Sequence, residues 1–493
     1  MSESIRKQIP FQRSMTADKR DENFAYLRKN VFASKSPGLY PSKDFEIERP
    51  DDLTVTENLM DIIGSEDGTF DIKVIIESGA DLRFSNLGSN LESNATLVGV
   101  DFECGIFGDD GVHIACDDDN VYKINHINSN STSQGAFTNA RPDIAGFDGL
   151  YYWWVSNNEI YKQLGSAVPV VAFNNLGLQP LFVDFLNDQM IIFCQEAGSI
   201  IVLFWDKSDT DLFDKRIVIP NAKLLAGGVN GGVLQCTYSI GNSSNPKERN
   251  GEIVAAAYDG EKFVEQNTIK AGDDELDYEK ITGVDVGSKV MLFSVDFNDD
   301  THNTDLYQNY VYKVHPDGAI EVQHLPDAAT YGEPHIVRVF YNFICIGLRG
   351  ETAVPPSIWT NEHNSAAYSA YANYTTTEYI TNFFNNPRNR HRLDMVGVTF
   401  ERLFEQTTVD PTGEQLEVLY RTSEREDFTS LGTVTVEKVK DEINPKKDQQ
   451  TEYDSDTTGL PEQVYKLKQL RVHWYFLNIM KFNTSLLVST DLV

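Results

Sequence analysis

Between about residue 95 and residue 360, apolar residues come in short runs or alternate with polar ones, and clusters of Asp, Asn and Gly separate the runs. Little of this stretch repeats at helical spacing, so the pattern predicts short strands joined by tight turns, an all-β fold. One unit recurs: an apolar strand, a polar turn, and a second strand carrying Val or Ile followed by Tyr-Lys. It stands at "GVHIACDDDNVYKINH" (111–126), at "GLYYWWVSNNEIYKQL" (149–164) and, with a longer turn, at 289–318. Three more hairpins without the Tyr-Lys mark fit at 181–206, 231–263 and 335–360. Small antiparallel sheets repeated at roughly 40–50 residues predict a β-propeller of about six blades, because each sheet then buries both faces and ring closure removes long exposed edges. A stacked β-sandwich is the alternative.

From about residue 380 the strands lengthen and alternate more regularly, as in "MVGVTFERLF" (395–404), "EQLEVLYRTS" (414–423) and "YKLKQLRVHWYFL" (465–477), and the polar run 440–463 divides them. This predicts a C-terminal antiparallel β-sandwich with one long loop. At the other end, 15–33 reads as a short helix, and the three prolines of 34–52 imply extended chain after it. The expected division is an extended N-terminal arm or platform segment over 1–80, the propeller over 81–380 and the sandwich over 381–493.

Charge changes the functional picture. The 493 residues carry 74 Asp and Glu against 42 Lys and Arg, a formal net charge of -32. That balance opposes tight phosphate binding, which needs several cations on the nucleic-acid backbone, and excludes a sequence-specific nucleic-acid binder. The start of the chain lacks the apolar core of a signal peptide, and the longest apolar run, "SIIVLFW" (199–205), is too short to span a bilayer, so neither secretion nor membrane insertion is expected. The five cysteines show no CxxC spacing and sit beside apolar residues, which marks them as small buried hydrophobes.

Catalytic signatures are missing. There is no GxSxG elbow, HExxH pair, phosphate-cradling glycine loop or GxGxxG turn, and no two histidines lie closer than nine residues apart. No enzyme activity, cofactor or metal is therefore expected. Acidic clusters at Asp117, Asp118 and Asp119, at Asp299, Asp300, Asn303 and Asp305, and at Asp454 with Asp456 resemble oxygen-rich loops. They lack the glycine and closing glutamate of a calcium loop, and Asp and Asn suit turns in any case. The run "YYWW" (151–154) is either a sugar-stacking platform or packing between blades, with packing the expected role. The tyrosine-rich 368–386 suggests a protein interface.

The stretch "NNPRNRHRLDMVGVTFERL" (385–403) packs Arg388, Arg390, His391 and Arg392 into five positions of this acidic chain. With "FAYLRKNVFASKSPGLY" (24–40), where Tyr26, Leu27, Asn30 and Ala33 stand out, with 416–436 and with "YKLKQLRVHWYF" (465–476), it resembles the tail hub or nozzle proteins of short-tailed bacteriophages, also called packaged-DNA stabilisation proteins. The resemblance implies a non-enzymatic virion protein, assembled in the host cytoplasm into a homo-hexameric ring at the tail. Its neighbours would be the adaptor or head-to-tail connector, a tail fibre or spike and a needle or plug, and double-stranded DNA would pass through without sequence-specific contact. Acidity agrees, because a conduit rich in carboxylates does not hold phosphates. Tyr26, Asn30, Arg388, Arg390, His391 and Arg392 are then the expected interface residues, with the arginines set against carboxylates where like charge would otherwise keep subunits apart. A receptor- or glycan-binding propeller of a tail tip or baseplate is the alternative, as is a propeller enzyme acting on surface polysaccharide.

Overall fold

The computed structural model describes most of residues 53–360 with side chains, and outside that range it describes strands only, at 4–10, 25–29, 31–33, 39–41, 46–47, 377–381, 391–402, 415–421, 429–435, 449–454, 469–475 and 480–492. The described elements are all strands. Six sheets of four strands, and the first four strands of a larger sheet, form seven blades rather than six.

Blade 1 is Glu57–Ile63, Lys73–Ser78, Asp81–Asn86 and Ala95–Val98; blade 2 is Phe102–Gly108, Gly111–Cys116, Asn120–Ile124 and Ser131–Ala136. Blade 3 is Ile144–Phe147, Tyr151–Val155, Glu159–Leu164 and Val170–Asn174; blade 4 is Gln179–Leu186, Gln189–Glu196, Ser199–Trp205 and Lys215–Ile219. Blade 5 is Ala222–Asn230, Val233–Ile240, Glu252–Tyr258 and Phe263–Lys270; blade 6 is Tyr278–Val286, Met291–Phe297, Tyr310–Val314 and Ile320–His324. Blade 7 takes Pro334–Val339, Ile344–Leu348 and Ser357–Thr360 from this stretch, and its fourth strand, Glu46–Ile47, from the other side of the whole propeller sequence. The first strand of each blade packs on the first strand of the next, and that of blade 7 packs on that of blade 1, which closes the ring.

The six predicted hairpins fall one each on blades 2 to 7. Blade 1 was missed because it straddles the expected boundary between arm and propeller, its first two strands within 1–80, and acidic residues interrupt those strands. The helix expected over 15–33 is corrected as well: Ala25–Lys29 and Val31–Ala33 are strands. Ala25–Lys29 pairs with strands about 300 residues or more away and Val31–Ala33 with Leu39–Pro41 close by, and such pairing overrides a weak local helical preference.

The hydrophobic cores lie between blades. In blade 4, Met190, Ile192 and Cys194 with Ile201, Leu203 and Trp205 pack against Trp153 and Phe173 of blade 3. The alternate positions Ile191, Phe193, Ile200, Val202 and Phe204 pack against Leu224, Leu234 and Val254 of blade 5. A strand with both faces covered has no reason to alternate, so "SIIVLFW" is apolar throughout. Each such side chain taken fully out of water contributes roughly 1.5–3 kcal/mol. The first strands of blades 1, 2, 4, 5, 6 and 7 carry register shifts against their second strands, local bulges at the ring's inner strands.

The Tyr-Lys repeats occupy one structural position. Tyr122, Tyr161 and Tyr312 lie in third strands opposite Ile114, Trp154 and Phe293, with the lysine one step further on. Lys123 Nζ reaches Asp110 at 2.8 Å, and Lys162 Nζ lies 3.7 Å from the centre of the Tyr151 ring. In blades 2 and 3 the lysine thus ties the third strand to the turn before the second strand or to its first residue.

Candidate assembly interface

Ring closure brings three charged side chains together from the first strands of blades 6, 7 and 1. The register shift between Leu59 and Asp61 turns Asp61 out of the simple alternation. Its Oδ1 accepts hydrogen bonds from the Ile62 N–H at 2.7 Å and from the Arg338 guanidinium of blade 7. Arg338 Nε also donates to the Ile62 carbonyl at 3.0 Å, and the His335 imidazole bonds the Leu59 carbonyl at 2.6 Å. On the other side, Asp285 of blade 6 accepts the Val339 N–H at 2.7 Å. Burial pushes the carboxyls of Asp61 and Asp285 up, and the Arg338 charge works against that rise in both. Burial opposes the charge of Arg338, yet Asp61 and Asp285 more than offset it and hold the guanidinium protonated. The group fastens a seam between the first and last blades.

Asp184 of blade 4 plays the same part as Asp285, accepting the Val229 N–H of blade 5 at 2.6 Å. It sits where a Cβ on Gly228 would lie, 2.7 Å from Asp184 Oδ2, so the glycine admits the carboxylate to the backbone. Nothing periodic in the sequence marks Asp61, Asp184, Asp285 and Arg338. The available signal was a charged residue inside an otherwise apolar strand.

The strands outside residues 53–360 join the two ends of the chain. Ser4–Pro10 runs antiparallel to Met480–Leu492, with Ser4 opposite Asp491 and Pro10 opposite Ser485. Ala25–Lys29 lies between the fourth strand of blade 6 and Thr377–Thr381, and Thr377–Thr381 leads on to Gln469–Tyr475, Gln415–Arg421 and Thr429–Thr435 in one sheet. His391–Arg402 lies between Met480–Leu492 and Gln449–Asp454 in a second sheet, which also holds Val31–Ala33 and Leu39–Pro41.

Among the predicted interface residues, Tyr26, His391 and Arg392 occupy strand positions. In register, His391 stands opposite Leu492 and Arg392 opposite Asp491. Asn30, Arg388 and Arg390 lie outside the described residues, as do 368–376 and 382–386 of the tyrosine-rich stretch and the acidic positions Asp299, Asp300, Asn303, Asp305 and Asp456; Asp454 is placed only as the end of a strand.

The other candidates resolve into structural roles. Tyr152, Trp153 and Trp154 are buried, at 1%, 1% and 0% exposure, so "YYWW" packs between blades and offers no platform at Trp153. The Trp153 indole N–H donates to Asp148 Oδ2 at 2.8 Å, and Lys207 meets the same oxygen at 3.0 Å. Asp117, Asp118 and Asp119 serve their turn and its surroundings. Asp117 accepts the Asp101 N–H, Asp118 takes Asn120 and the Tyr122 hydroxyl, and Asp119, at φ +64°, pairs with Arg141. Among the described residues, no group of three or more His, Cys, Asp or Glu side chains is arranged to hold a metal ion, and no helix is long and apolar enough to cross a membrane. The five cysteines are free and buried. Burial pushes the thiols of Cys104, Cys116 and Cys236 well up and that of Cys194 up to about 12.

No family model and no curated protein matches the chain. Among solved structures, YCF48 bound to D1 peptide is similar at 10% identity over 65% of this chain and all of that one, with a TM-score of 0.45. The WD40 domain of Toxoplasma gondii coronin is similar at 8% identity over 68% of this chain and 92% of that one, TM-score 0.42. PorZ of the Porphyromonas gingivalis type-IX secretion system is similar at 9% identity over 72% of this chain and 44% of that one, TM-score 0.41. The strand pairing itself defines this chain as a closed seven-bladed β-propeller.

Proposed function

We propose that this protein is a structural subunit of a bacteriophage tail nozzle or hub, a non-enzymatic virion component that assembles as a homo-hexamer below the head-to-tail adaptor and surrounds the path of the DNA. One observation carries the reading. The stretch 24–40 is separated by most of the chain from the others that resemble that family, 386–403, 416–436 and 465–476, yet their strands meet in two sheets, one of them continuous with blade 6. Local resemblances that converge in space mark one module. In this reading the two sheets pack as the terminal β-sandwich, and the arginines near 390 lie where it meets a neighbour or the adaptor. The acidic surface keeps passing DNA from sticking, since a net charge of -32 per subunit repels phosphate.

The buried Trp153 leaves the glycan-binding alternative without its platform. Electron microscopy of the purified full chain, paired with labelling of phage particles by an antibody against it, tests the proposal. Six-fold rings and label at the tail are expected. A monomer at every concentration, with label elsewhere, would overturn it.

A further inference from the structure

The interface between blades 2 and 3 encloses a polar group that neither packing nor the proposed assembly explains. His113, in the second strand of blade 2, is fully buried, and its ring stacks on Tyr152 of blade 3 with centroids 4.0 Å apart. Its Nε2 lies 2.9 Å from Asp110 Oδ1, which also accepts the Tyr152 hydroxyl, while Lys123 donates to Asp110 Oδ2. Asp110 is an acceptor on both oxygens, so Nε2 carries the proton and Nδ1 keeps a lone pair. That Nδ1 is buried and has no partner. Gln163 of blade 3 is also fully buried on this interface. Its Oε1 takes the Trp154 indole N–H at 2.8 Å, and its Nε2 has no partner.

We propose that His113 is a proton-sensitive joint between blades 2 and 3, closed while the imidazole is neutral and opened when Nδ1 takes up a proton. The protonated ring would bury a second N–H donor without an acceptor. In blade 3, Gln163 stands opposite Tyr152, and its unpartnered atom, Nε2, is a donor as well. An unsatisfied buried donor is destabilising, because it gives up its hydrogen bond to water for nothing, and the new charge would also lie beside Lys123. The titratable and charged groups facing the ring are Asp110 and Lys123 from blade 2 and Tyr152 from blade 3, so one carboxylate would serve two cations.

The direction of the pH effect follows from burial, which lowers the affinity of His113 for a proton, with Asp110 only partly restoring it. A histidine shifted down contributes stability that is present above its ordinary value of 6.5 and is lost as pH falls toward the folded value. Burial works against the Asp110 charge, but the hydrogen bonds from Lys123 and Tyr152 hold its carboxyl below the ordinary value, so it stays ionised through this range.

Hydrogen exchange of the full chain, corrected for the intrinsic pH dependence, tests the joint at about pH 7.5 and about pH 5.5, either side of an ordinary histidine. Peptides from 111–124 and 151–164 should exchange about fivefold faster or more at the lower pH, with blades 4 and 5 unchanged. His113→Gln, which cannot titrate, should abolish the difference. Lys123→Met, which removes the competing cation and sits at the partly exposed edge, should reduce it and keeps the test decisive if the first variant does not fold. Acceleration spread evenly over all blades, or an acid response unchanged in either variant, would overturn the proposal.

Discussion

Arg338 Nε, in the first strand of blade 7, donates to the carbonyl of Ile62 in the first strand of blade 1 at 3.0 Å, across 276 residues of chain. The contact lies where a linear string of blades becomes a ring. At this seam the connection between first and last blades is made by packing and side-chain bonds, with Glu46–Ile47 adding a fourth strand to blade 7 from the N-terminal side.

Arg338→Met should therefore destabilise the propeller by about 3–5 kcal/mol, because it strands two partly or fully buried carboxylates without their cation. Urea unfolding of the full chain measures this. A loss below about 1 kcal/mol would mean that the apolar faces alone hold the seam.

Asp285 makes a prediction of opposite sign. Burial raises its folded pKa, so its contribution is present at low pH and declines as pH rises through the folded value. Asp285→Asn keeps an oxygen for the Val339 N–H and removes the charge. The urea midpoint at neutral pH should rise, and stability should fall less steeply between acid and neutral pH than in the wild type.

Gly347, in the second strand of blade 7, faces blade 1 so closely that an added Cβ would lie 2.6 Å from Leu59 Cδ2 and 3.1 Å from Ile336 Cβ. Gly347→Ala should cost about 1–3 kcal/mol through overpacking. Combined with Leu59→Ala, it should cost less than the two single changes added together, and a double-mutant cycle reads that coupling. Strict additivity would place the pressure elsewhere.

All five cysteines are buried, and the thiols that burial pushes up are poor nucleophiles. Native protein treated with a thiol reagent at mildly alkaline pH should show no fast reaction, and denatured protein should show five reactive groups. A fast-reacting thiol in the native protein would contradict the packing between blades.

Replacing Arg388, Arg390 and Arg392 together with Ser tests the proposed assembly role of the cationic stretch. Ring formation should be lost in electron micrographs while the thermal transition of the propeller is retained. Intact rings in the variant would remove these arginines from the interface.

Strand-rich sheets were legible because their signal is local: each of blades 2 to 7 holds a second and third strand with an apolar run and an Asp-, Asn- or Gly-rich turn between them. Blade 1 was not, because Glu57, Asp61, Lys73 and Glu77 break its runs. Glu57 and Asp61 are the partners of Arg83 and Arg338, the first in the same blade and the second 277 residues away. The strand Glu46–Ile47 could not be found from pattern either, since two residues have no periodicity and become a strand only where blade 7 offers an open edge.

The sequence by itself determined the class of structure and the inward place of its cysteines and of the aromatic run 151–154, because hydrophobic alternation and turn chemistry act between near neighbours. Tertiary structure decided that there are seven blades, that the two chain ends share sheets, and that Arg338 meets Asp61 while His113 lies against Tyr152. Those outcomes depend on which distant strand or charge ends beside an unpaired edge or an uncompensated partner, and only the closed ring brings such groups within bonding distance.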